Sequence, residues 1–151
     1  MRNHTKLFSA RIVWMLLPGW ICPSLALAAT PAELSCPDSI PAASINLQAL
    51  PPGWMPHIDG PLYLSSAAPI DGEPERKGQL VPGGTRKQKG LTVLSYRLEG
   101  DYPHGKWLQC RYGAYGEISL SKRLPDSISL CEIGHSKGQK AGQQNIQIVC
   151  R

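Results

Sequence analysis

Residues 91–98, LTVLSYRL, and residues 106–112, KWLQCRY, decide the fold class. Apolar and polar side chains alternate in both: Leu94, Tyr96 and Leu98 share one face of the first, and Leu108, Cys110 and Tyr112 share one face of the second. A period of two marks strands with one buried face. Pairing the segments antiparallel around the 99–105 loop sets Leu94 opposite Cys110 and Tyr96 opposite Leu108. On the other face it brings Arg97 opposite Trp107, within cation–π reach. The Gly113–Gly116 stretch then turns the chain into Glu117–Lys122, with Ile118 across from Cys110 and Leu120 across from Leu108. Three strands thereby share one apolar face. The expectation is a mainly β, antiparallel domain, either a sandwich or a curved sheet, with at most a short helix.

Working outward, Ser39–Leu50 alternates through Ile45, Leu47 and Ala49 and reads as a first strand, ended by Pro51-Pro52-Gly53-Trp54. Pro61–Ser66 gives a second short strand. Residues 71–82, DGEPERKGQLVP, read as a turn with one or two helical turns before Pro82 stops them. The Arg86, Lys87 and Lys89 run reads as a solvated loop. Near the C-terminus, Ser129–Ile133 pairs with Ile146–Cys150 around the 138–142 loop in a register that matches Ile133 with Ile148 and Cys131 with Cys150. Cross-strand cysteines of this kind come within disulfide range. That register favours a Cys131–Cys150 bridge and leaves Cys36 for Cys110, with a Cys110–Cys131 pairing still open.

The chain has 151 residues, 42% hydrophobic and 18% charged, which fits one folded domain and excludes a disordered polymer. Its first 28 residues read as a cleavable export signal: Arg2, Lys6 and Arg11 precede an apolar run from Ile12 to Leu27 that closes on Ala26-Leu27-Ala28. The expected organisation is a signal peptide over 1–28 and a single disulfide-stabilised domain over 29–151, located in the periplasm. Removing the leader takes away three basic residues, so the 16 Lys and Arg become 13 against an unchanged 11 acids, a charge of about +2. A nucleic-acid partner loses its support, and the interrupted apolar run does not predict a membrane span in the mature form. Four cysteines remain, Cys36, Cys110, Cys131 and Cys150, an even number that argues for two disulfides in an exported protein.

Chemistry-bearing patterns are sparse. His57, His104 and His135 are far apart in loop-like contexts, without metal-ligand spacing. No Gly-x-Ser-x-Gly elbow marks a nucleophile. Asp71, Glu73 and Glu75 cluster, but in a Pro/Gly-rich turn where solvent keeps carboxylates ordinary. No catalytic, cofactor-binding or metal residues are therefore expected, and no cofactor. The most suggestive patch is 101–107, DYPHGKW, followed by Tyr115. Aromatic side chains in loops supply rigid contact area with a polar tip, which suits protein recognition. The sheet face opposite the core would carry Ser95, Arg97, Gln109, Arg111, Ser119 and Ser121. The expected partner-binding set is Tyr102, His104, Trp107, Arg97, Arg111 and Tyr115.

Cys36-Pro37-x-x-Ile40, Gly53-Trp54, Asp71-Gly72-x-Pro74-Glu75, Leu80-x-Pro82, Trp107-Leu108-x-Cys110-x-Tyr112, Leu124-Pro125, Cys131-Glu132 and Ile148-x-Cys150 carry a resemblance across nearly the whole mature chain. The set resembles a family of small exported, four-cysteine proteobacterial proteins, some of them encoded near type VI secretion genes. The resemblance implies a non-enzymatic immunity protein that binds and neutralises a secreted effector. Two other readings belong to different classes: a small cell-envelope enzyme or inhibitor acting on peptidoglycan or lipid, and a structural envelope component.

Overall fold

Short segments rich in β-branched and aromatic residues, punctuated by glycine and proline, form nine strands among the residues that the computed structural model describes, 34–151. The expected leader over 1–28 lies outside the described residues. The strands are β1 (Ser39–Ile40), β2 (Leu62–Asp71), β3 (Gly78–Gln79), β4 (Gly84–Gln88), β5 (Leu91–Arg97), β6 (Lys106–Tyr112), β7 (Ile118–Arg123), β8 (Leu130–Lys137) and β9 (Gln144–Cys150). Among the described residues, helix is limited to 3₁₀ turns at Ala42–Ser44 and Pro74–Arg76. All ladders are antiparallel. One sheet runs β1-β2-β6-β7 with β3 also on β2, and the other runs β4-β5-β8-β9.

Both sheets contribute to one apolar core. Leu64, Ala67, Leu108, Cys110 and Tyr112 come from the first sheet, and Tyr96, Cys131 and Ile133 from the second. Leu98 and Leu124, fully buried, close it from the connections. Cys36 is bonded to Cys110 and Cys131 to Cys150. The last hairpin has Cys131 opposite Cys150 and Ile133 opposite Ile148.

Strand partners differ from the sequence reading in the middle of the chain. β5 and β6 do not form a hairpin. β5 lies between β4 and β8, β6 lies between β2 and β7, and the 98–105 connection passes from one sheet to the other. Arg97 is thus paired with Leu130, and Trp107 with Ile70 and Arg123, so the expected contact between Arg97 and Trp107 is absent. Alternation sets the faces of a strand but leaves its neighbour undetermined, and several strands here share the same period. β7 keeps its expected face with its register moved by two, so that Leu120 pairs with Cys110 and Ile118 with Tyr112.

What looked like a solvated loop is β4, every residue of which is exposed. It is joined to β5 by Lys89 and Gly90, both at positive φ (49° and 80°), the two-residue turn that matches strand twist. An edge strand wet on both faces has no reason to alternate. The first strand shrinks to Ser39–Ile40, whereas β2 extends through Pro69 to Asp71. Pro69 lies between the short pairings of β2 with β1 and with β3, where a strand tolerates a missing N–H. Near its start β2 is bulged between Leu64, opposite Tyr112, and Ser66, opposite Arg111. The Ser65 hydroxyl donates to the Arg111 carbonyl at 3.0 Å.

Candidate functional site

β6 separates its side chains cleanly: Lys106, Leu108, Cys110 and Tyr112 point into the core side, while Trp107, Gln109 and Arg111 take the other face and are only partly covered. Neighbouring strands extend that second face with Ser66, Ala68 and Ile70 from β2 and with Ser119, Ser121 and Arg123 from β7. Two open clefts lie along it. One, of about 240 Å³, is lined by Ala68, Gln109 and Arg111 together with Leu94, Tyr96 and His135 of the second sheet. The other, of about 320 Å³, is lined by Lys77, Ser119 and Gly116, and it shares Ile70, Gln79, Gln109 and Arg111 with the first. The charged side chains lining the pair are Arg111 and Lys77, both cationic, and no carboxylate joins them.

The polar groups of this face are lightly tied. Gln109 Nε2 donates to Ser119 Oγ at 3.3 Å, and Arg111 Nη2 donates to the Gly116 carbonyl at 3.4 Å. Both side chains keep further donors for a partner. Trp107 Nε1 donates to the His104 carbonyl at 3.3 Å, which fixes the indole beside the loop that precedes β6. That loop is stitched at its base: Gly105 N donates to the Tyr102 carbonyl, and Gly72 N donates to the Gly105 carbonyl. Tyr102 is half-buried, its ring 5.1 Å from Lys106 Nζ. Burial raises the pKa of its phenol, with a smaller push from the Asp71 charge.

The six expected partner residues fall into three places. Tyr102, His104 and Trp107 gather at the start of β6. Arg111 lies near its end on the same face as Trp107, and Tyr115, 88% exposed, caps the connection to β7. Arg97 stands apart, on the face of β5 opposite Leu94 and Tyr96, and so does not line the cleft.

Three features were not expected from sequence. His135 lies on β8 rather than in a loop, with Nε2 buried and without a hydrogen-bond partner, and its burial lowers the imidazole pKa. Lys106 is buried at 6% exposure. Arg86 and Arg151 both bond to the Glu132 carboxylate, and these partners, Arg86 first among them, lower its pKa. Among the described residues, no three His, Cys, Asp or Glu side chains converge as a metal site, and no helix is long and apolar enough to cross a membrane.

No curated protein and no solved structure matches the chain. The family model described as type VI secretion system Tli immunity protein matches residues 59–151. That span takes in β2 through β9, both clefts and the 99–107 loop. With more than half of the sequence inside the match, the chain belongs to the type VI secretion system Tli immunity protein family.

Proposed function

We propose that this protein works in the periplasm, after removal of residues 1–28, as a non-enzymatic immunity protein. In this reading it captures its effector on the face of β6 that carries Trp107, Gln109 and Arg111. The family match over both sheets is the observation that carries the reading. The export-type leader and the two disulfides support the compartment. The site follows from chemistry. Trp, Tyr and Arg are the side chains that dominate protein–protein binding energy, and Tyr102, His104, Trp107, Arg111 and Tyr115 lie along one strand and its two ends. The cationic lining of the clefts selects an acidic stretch of the effector.

The test is protection of susceptible recipient cells from type VI attack by the parental strain, with and without residues 1–28. Protection that requires the leader supports the reading. Within it, Trp107→Ala and Arg111→Glu each reduce protection, the second more steeply at low ionic strength, while Arg97→Ala leaves it unchanged. Full protection by the leaderless form overturns the periplasmic assignment. Undiminished protection by Trp107→Ala combined with Arg111→Glu overturns the placement of the site.

A further inference from the structure

The segment 41–61 leaves the first sheet after β1 and returns at β2, and its two ends are held side by side because Ile40 pairs with Leu62 and Ser39 with Tyr63. A backbone bond from Leu64 N to the Asp38 carbonyl and the Cys36–Cys110 bridge close the base. Long excursions with adjoining ends and little regular structure are uncommon and are usually functional. The two limbs fold toward each other: Ala42–Leu47 and Pro56–Ile58 line one shared hollow. The tip of the arm is thereby left outside the sheets.

That tip is apolar and stiff. Trp54 is 73% exposed and Met55 91% exposed, with Leu47 and Leu50 also on the surface. Between Asp38 and His57 the sequence has no ionisable side chain. Pro51-Pro52-Gly53-Trp54 forms a turn closed by Trp54 N on the Pro51 carbonyl at 3.2 Å, with Gly53 at φ 82°, the left-handed third position that favours glycine. Pro56 restrains the exit. Ala49 is held at φ 55°, a conformation disfavoured for alanine, just before the tip. Large apolar side chains on a backbone already fixed in shape lose little entropy on being buried by a partner.

Resting on the immunity reading, we infer that the 41–61 arm is a contact element whose Trp54 and Met55 insert into an uncharged apolar pocket of the effector. The family match begins at residue 59, so residues 41–58 of the arm, Trp54 and Met55 among them, precede the matched region. Trp and Met are enriched at the cores of protein interfaces. A lipid surface is the less suitable occupant, because the charged groups flanking the arm are Asp38 and Asp59, and interfacial anchors use lysine and arginine.

The experiment uses the intact exported protein in recipient cells attacked by the parental strain. Wild type and the Trp54→Phe/Met55→Leu pair protect, whereas the Trp54→Ala/Met55→Ala pair lowers recipient survival about tenfold or more. Its periplasmic level, non-reducing gel mobility and urea midpoint stay those of wild type, since both side chains are exposed. Full protection by the alanine pair overturns the inference and leaves the immunity reading standing. Failure of wild type to protect removes that reading, and this inference with it. Sedimentation of wild type but not the alanine pair with vesicles of phosphatidylethanolamine and phosphatidylglycerol overturns the protein pocket in favour of a lipid surface.

Discussion

The Lys106 ammonium lies 5.1 Å from the centroid of the Tyr102 ring and donates to the carbonyls of Asp126 at 3.0 Å and Ile128 at 2.7 Å. A buried ammonium needs its donors used, and here two backbone acceptors and an aromatic face serve them. One side chain thus ties the loop before β6 to the connection between β7 and β8. Lys106→Met fits the aliphatic space but strands both carbonyls. The expected loss is about 1–3 kcal/mol in urea unfolding of the oxidised protein. A variant as stable as wild type would remove Lys106 from the list of structural residues.

The two disulfides close loops of unequal size, with sequence separations of 74 for Cys36–Cys110 and 19 for Cys131–Cys150. Chain entropy makes the longer link the more stabilising one, by about 1 kcal/mol. Replacing each pair by serine separately and comparing urea midpoints checks the order. Equal losses, or a larger loss for Cys131→Ser/Cys150→Ser, would mean that strand-to-strand geometry outweighs loop closure.

Burial lowers the pKa of the His135 imidazole from its ordinary value near 6.5. The unfolded chain therefore takes up a proton that the fold resists, so stability declines as pH falls through 6.5 and levels off below the folded-state value. His135→Gln flattens the decline between about pH 7 and pH 5, read from urea midpoints at successive pH values. An identical slope in the variant would place the titrating group elsewhere.

Burial, aided by the Asp38 charge, pushes the Tyr112 phenol up to about 12. Its hydroxyl has no hydrogen-bond partner in the core. Between pH 10 and 12 the unfolded chain releases a proton that the fold retains, so stability falls as pH rises through that window. Tyr112→Phe reduces the alkaline loss, leaving the share that comes from Tyr96 and Tyr102, whose phenols burial also raises. At neutral pH it is neutral or stabilising by up to about 1 kcal/mol, because no hydrogen bond is broken. A clear destabilisation at neutral pH would mean that the hydroxyl is satisfied in solution.

Alternation in β5, β6 and β9 was enough to read the fold class, and with it the register that joins Cys131 to Cys150. It could not decide that β6 neighbours β2 instead of β5, because Leu94 and Ala67 offer Cys110 equally apolar company and only the three-dimensional packing chooses. β4 escaped notice because GTRKQ has neither face buried. The proposed contact residues are legible as residue types, since Trp107 and Arg111 share parity on one strand. Arg97 shares their chemistry but stands in the other sheet, which parity alone cannot reveal. Trp54 read as the end of a strand, because a proline-glycine turn looks the same in sequence whether its aromatic is tucked under or displayed.

The bulge at Ser65 sets the phase of everything before it. Downstream, Ala67 and Pro69 match Cys110 and Leu108, and upstream Leu64 matches Tyr112, an assignment that holds only because one extra residue is absorbed between them. Drawing Ser65 into the ladder opposite Tyr112 would rotate Leu64 out of the interior and carry β1 with it. Cys36 would then be offered to the wrong side of the sheet, so the sulfur link to Cys110 depends on one serine staying looped out of the ladder.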